Sequence, residues 1–190
     1  MDGKPKYVTA LAQTDTAAGW REMRGTGGVI VDIETNDVIA SGLSMPHSPR
    51  WHDGRLWVLE SGKGTLSTVD LSTGATQTIT TVPGFTRGLS FIGPYALVGL
   101  SQVRDSVFQS LPITQTRDER NCGVWLVDTR TGSIDGWMKF EGVVQEIFDV
   151  AVLPHRWPVI VEDPTLARNA FVLPDDTLRD MLAASARDVS

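Results

Sequence analysis

Apolar residues recur along most of this chain in short, alternating or fully apolar runs, and each run ends in Gly, Pro, Asn or Asp. That rhythm predicts β-strands joined by tight turns. The predicted strands are 7–12, 29–33, 38–40, 48–51, 56–59, 65–71, 76–81, 86–92, 95–100, 123–128, 134–140, 147–153, 158–161 and 169–173. Asp53-Gly54 between the runs 48–51 and 56–59 is a hairpin signal. Two polar stretches interrupt the pattern, 13–28 and 101–121, and both read as loops. Near the end the period changes: Asp176 caps a short predicted helix that carries Leu178, Met181 and Leu182 on one face.

The strands repeat as a group. Val31-Asp32-Ile33-Glu34-Thr35-Asn36, Val69-Asp70-Leu71-Ser72-Thr73-Gly74 and Val127-Asp128-Thr129-Arg130-Thr131-Gly132 share one pattern, apolar-Asp-x-x-Thr-Gly/Asn. The first two aspartates are 38 residues apart and the next two 58, the excess of 20 matching the inserted polar segment. His47 leads Gly54 by seven residues, as Thr86 leads Gly93. A period near ~40 with four strands per repeat predicts an all-β chain of β-propeller type, built of four-stranded antiparallel blades. The blades fall at about 1–44, 45–82, 83–142 and 143–174, followed by the helical tail 175–190. The first blade lacks its inner strand and the last is partial, so about three and a half blades are present, fewer than a closed ring needs. The expectation is therefore part of a longer protein. Missing N-terminal blades or a second chain would close the ring. The repeated Asp and Gly read as turn formers.

Composition narrows the function. The 190 residues are 41% apolar and 21% charged, with net charge −6. No basic footprint marks a nucleic-acid partner, and no apolar run reaches the ~20 residues of a membrane span. One cysteine, Cys122, precludes an internal disulfide framework. With no signal-like start, these features lead to a cytoplasmic expectation.

The residues also carry a resemblance. Met45-Pro46-His47-Ser48-Pro49-Arg50-Trp51-His52 followed by Leu56-Trp57-Val58-Leu59-Glu60-Ser61-Gly62 resembles a bacterial family of uncharacterised, propeller-like conserved proteins. Further matching stretches are Pro83-Gly84-Phe85-Thr86-Arg87-Gly88-Leu89, Cys122-Gly123-Val124-Trp125 and Glu146-Ile147-Phe148-Asp149-Val150. Members of that family are longer at the N-terminus, where a histidine-containing strand precedes the position of Met1. The resemblance supports the fold and carries no activity across.

Chemistry is expected where the inner strands of a propeller begin and the next strands return. That end gathers His47, Arg50, Arg87, Glu146 and Asp149 with Glu60, Ser101, Arg104, Glu162 and Asp163, under the 102–121 insertion. The candidate ligand-binding set is His47, Arg50, Glu60, Arg87, Arg104, Glu146, Asp149 and Glu162. Ionisable groups converging on a concave mouth point to a binding site. The plainer reading is structural pairing, Arg87 with Glu60 and Arg50 with Asp149. No catalytic residue is assigned. The cofactor is unknown: Glu60, Glu146, Asp149 and Glu162 offer the hard oxygens a divalent cation takes, and His47 would join them for a transition metal. No His-Glu-x-x-His or comparable ligand motif is present. His52 reads as a solvated turn residue, and Trp57 and Trp125 as packing residues.

The leading expectation is a propeller that binds a small polar or anionic ligand at its mouth through arginines. A metal-dependent, lactonase-like hydrolase and a protein-interaction scaffold using the 102–121 insertion are the alternatives.

Overall fold

The computed structural model describes residues 4–102, 108, 110–116 and 120–153. The chain divides into two units, Met1–Val152 and Leu153–Ser190, and the strands below belong to the first. The expected strands 158–161 and 169–173, the tail helix, Arg104, Glu162 and Asp163 lie outside the described residues.

Among the described residues, eleven strands make three antiparallel sheets. The first contains β1 (Tyr7–Ala10), β2 (Gly28–Asp32) and β3 (Val38–Leu43). The second contains β4 (Pro46–His52), β5 (Arg55–Glu60), β6 (Thr65–Val69) and β7 (Thr76–Thr81). The third contains β8 (Phe85–Ile92), β9 (Tyr95–Ser101), β10 (Cys122–Asp128) and β11 (Ile134–Phe140). Within each sheet the strands lie in chain order, so every connection is a meander. The 13–28 loop holds a single helical turn, α1 (Trp20–Met23), and the 101–121 insertion holds α2 (Pro112–Thr116). Among the described residues no helix is long and apolar enough to cross a membrane.

Successive sheets bury apolar faces against each other. Side chains alternate along a strand, and β5 uses both directions. Leu56 and Val58 join Ile30, Ala40, Leu43 and Val69 between the first and second sheets. Trp57 and Leu59 join Leu66, Leu89, Val98, Leu100, Trp125 and Val127 between the second and third. That double burial explains why β5 is a continuous apolar run and not an alternating one. A third cluster, Met45, Phe85, Leu111 and Ile113, pins the insertion over Gly62 and Gly64, with the Ile113 N–H bonded to the Gly62 carbonyl at 3.0 Å.

The three sequence repeats become three identical turns. Oδ1 of Asp32, Asp70 and Asp128 accepts the N–H two residues on, at 2.9, 2.8 and 2.8 Å. The next strand begins after a residue at positive φ: Asn36 at 62°, Gly74 at 72° and Gly132 at 75°. The glycines have a second duty. A Cβ on Gly74 would lie 2.6 Å from the Ile39 carbonyl oxygen in β3, and one on Gly132 would strike the Ile79 carbonyl in β7. Each turn thus seats on the outermost strand of the preceding sheet. Hydrogen bonds hold these carboxyls below the ordinary range, Asp70 through Ser72 and Asp128, at about 2, through Arg130.

Two expectations are corrected. The 147–153 run forms no ladder. Its polar backbone is met by side chains: Ile147 N–H by Ser101 Oγ at 2.9 Å and Val152 N–H by Ser90 Oγ at 3.1 Å. His52 is not a solvated turn residue. Its ring stacks on Phe91 with centroids 4.1 Å apart, and Nε2 lies 3.0 Å from the Gly93 carbonyl, so it ties the second sheet to the third.

Gly74→Ala and Gly132→Ala are each expected to destabilise the protein by at least about 1–2 kcal/mol from the left-handed backbone alone. Asn36→Gly is expected to stay within a few tenths of wild type, because Asn already tolerates that conformation only slightly worse than Gly. Urea unfolding of the three variants checks the contrast.

Candidate functional site

The site is built where β4 and β8, the first strands of the second and third sheets, lie against one another. Both strands bulge at this level. The β4–β5 register shifts between His47 and Arg50, and the β8–β9 register between Thr86 and Leu89. A bulge breaks the ladder and re-aims side chains. His47 is the last paired residue before the first bulge, and Arg87 lies within the second. Gly88 at φ 84° donates its N–H to Ser48 Oγ at 3.1 Å, locking the two bulges together.

This contact puts an imidazole beside a guanidinium. Burial, and then repulsion from Arg87, hold His47 at about 4, so its ring is neutral near pH 7. Among the described residues neither ring nitrogen has a hydrogen-bond partner. The Arg87 guanidinium lies over the Phe148 ring, 3.8 Å from its centroid. No described carboxylate pairs with it.

Phe148 comes from the 141–153 segment, which the Ser101 and Ser90 hydroxyls clip to the third sheet. Close approach there depends on Gly88, where a Cβ would lie 2.6 Å from the Val150 nitrogen. The same segment brings Asp149 to Arg50, Oδ2 to Nη2 3.6 Å. Both partners are well exposed, so this pair orders the surface more than it stabilises the fold.

The sequence-predicted residues thus separate. His47, Arg50, Arg87 and Asp149 gather around the two bulges. Glu146 is exposed on the same segment without a described ion pair. Glu60 points elsewhere: only 1% exposed, its Oε2 accepts the Ser44 N–H at 3.0 Å and pairs with Lys63 at 2.6 Å. Of the two expected structural pairs, Arg50 with Asp149 is present, whereas Arg87 meets an aromatic ring and Glu60 a lysine. Phe148 was the residue that sequence reasoning missed. The Glu146–Val150 stretch reads as part of a strand, which gives its aromatic side chain a packing role, whereas the structure turns it toward Arg87. Among the described residues no three His, Cys, Asp or Glu side chains are grouped as metal ligands.

His47 is expected to titrate near 4 in imidazole C–H NMR shifts, and Arg87→Met to move that value upward while burial keeps it below the ordinary histidine range. The unfolded chain then binds the proton more readily between about 6.5 and about 4, so folding stability falls as pH drops through that window. His47→Gln is expected to flatten the slope, read from urea midpoints across the same range.

Comparison with known proteins adds a family and little else. A domain family described as "Domain of unknown function (DUF4915)" matches residues 1–161. No curated protein matches the chain. Among solved structures, the computationally designed Ika4 protein shares 16% identity at TM-score 0.41, over 68% of this chain and 69% of that one. The designed Ika8 protein shares 15% at 0.40, over 68% and 35%. Dihydro-heme d1 dehydrogenase NirN, solved in complex with DHE, shares 16% at 0.38, over 61% and 23%. The chain thus spans well under two thirds of the last two. Since the family model covers most of the sequence, the chain belongs to the DUF4915 domain family.

Proposed function

We propose that the three sheets are consecutive blades of an incomplete β-propeller, and that the face formed by their first strands binds a small oxyanion. Two features support the blade reading. The sheets are sequential meanders, and β4 packs against β8 as consecutive inner strands of a propeller do. The outer face of the third sheet is apolar as well: Leu97, Val124, Leu126 and Met138 line an open groove with Val150 beside them, and Met138 is 53% exposed. A stack that buries one sheet on the next needs a further sheet there. Other strands, from a longer chain or a second copy, would complete the ring.

The observation that carries the ligand reading is Arg87. Among the described residues no carboxylate meets its guanidinium, which leaves the charge open to an anionic ligand. Stacking on Phe148 fixes its plane and leaves the N–H edge for a ligand, the geometry that reads carboxylate, sulfate or phosphate two-pronged. His47 adds a ring nitrogen that can hydrogen-bond the ligand. Arg50 is half satisfied by Asp149 and serves as a weaker, outer contact. Glu60 belongs to the scaffold in this reading.

Sulfate, inorganic phosphate and small dicarboxylates, titrated by calorimetry against the purified protein, test the assignment. Arg87→Ala is expected to weaken binding at least about tenfold, the loss of one charge-assisted bidentate contact. Arg50→Ala should cost no more than about threefold, as befits an exposed pair. Equal affinities in wild type and Arg87→Ala would remove the site.

A further inference from the structure

We propose that His47 takes up a proton when an oxyanion docks on Arg87, so that binding at this site is coupled to proton uptake. The inference rests on the anion reading above and adds its regulation. It follows from the locked bulges. Gly88 N–H on Ser48 Oγ fixes the backbones that carry Arg87 and His47, so neither side chain can leave the other by a shift of strand. Without the anion, burial and then the Arg87 charge, which no described carboxylate compensates, disfavour the protonated imidazole. An anion on Arg87 cancels that field at its source. It also offers an acceptor to a ring nitrogen that has no hydrogen-bond partner among the described residues. Both changes favour imidazolium, and both vanish when the anion leaves.

Other charges around β4 leave this coupling to Arg87. On β4 itself, Arg50 is paired with Asp149 and His52 is stacked on Phe91. β5 brings Arg55 and also Glu60, which Lys63 neutralises. β2 brings Asp32, paired with Lys6, and β1 brings Tyr7. From the 141–153 segment Glu146 faces outward, exposed. Arg87 alone of these groups acts on His47 through its charge. Burial, the larger cause of the low value, persists when the anion binds, so uptake falls in the window above about 4 and below the ordinary histidine range. By linkage, the proton and the anion must then strengthen each other's binding equally.

Sulfate is the suitable probe, since its double charge does not change between about pH 5 and about pH 7 and any pH dependence belongs to the protein. Calorimetry in two buffers of contrasting ionisation enthalpy counts the protons taken up. In wild type, sulfate affinity is expected to rise as pH falls, approaching tenfold per pH unit, with uptake approaching one proton. In His47→Gln, sulfate still binds through Arg87, but the rise and the uptake disappear. Should that variant not fold, the wild-type His47 C–H shift serves instead: added sulfate must move its titration upward. Arg87-dependent sulfate binding that is flat with pH, or uptake that survives in His47→Gln, would overturn the coupling and leave the anion site standing. Absence of sulfate binding, or binding indifferent to Arg87→Ala, would remove both.

Discussion

The middle of the second sheet, β5 and β6, is buried on both faces, and the rest of the molecule follows from that. β5 sends Leu56 and Val58 one way and Trp57 and Leu59 the other, and each set is covered by a neighbouring sheet. Such a strand can be stable only as the middle of a stack. The stack in turn requires close seating at its edges. Gly74 and Gly132 supply it by bringing turn backbone onto the carbonyls of Ile39 and Ile79. The same stack forces the first strands β4 and β8 against each other. Their bulges, and therefore His47 and Arg87, are neighbours because the cores on either side leave them nowhere else to go.

Serine hydroxyls do much of the joining between successive repeats. Ser48 receives the Gly88 N–H, Ser61 donates to the Thr86 carbonyl, Ser101 both donates to the Ile147 carbonyl and accepts its N–H, and Ser90 receives Val152. A ladder between these segments would merge the sheets into one continuous surface. Single side-chain bonds satisfy the same backbone groups while the sheets stay separate. They also allow the angle between one sheet and the next to be set by core packing.

Much of this was legible in the sequence because its signals are local. Strand positions follow from runs of apolar residues bounded by turn formers, and the Asp-x-x-Thr-Gly repeats state their own hydrogen bonds. The gathering of His47, Arg50, Arg87 and Asp149 was legible as well, since strand ends must meet at one end of any meander stack. What stayed hidden depends on where a side chain turns after the backbone is placed. Glu60 ends β5 where a ligand contact is plausible, yet its carboxylate is buried and turns to the Ser44 amide and Lys63. His52 lies in a hairpin, but Phe91 arrives from a strand some forty residues away to stack on it. Phe148 belongs to an apolar run that looks like a strand and is not one.

The two walls of the site differ in how firmly they are built. His47 and Arg87 stand on strands paired over most of their length and backed by fully buried cores. Phe148 and Asp149 stand on a segment whose amides are held mainly by hydroxyls, with Phe148 itself 75% exposed. Segments with little buried apolar area and few backbone bonds open at far lower free energy than core strands. The 141–152 stretch is therefore expected to open more readily than the sheets, and its opening would take the aromatic cover from Arg87 and the counter-ion from Arg50 together. In the proposed anion site, the firm wall would set what is recognised and the loose wall how quickly it enters and leaves.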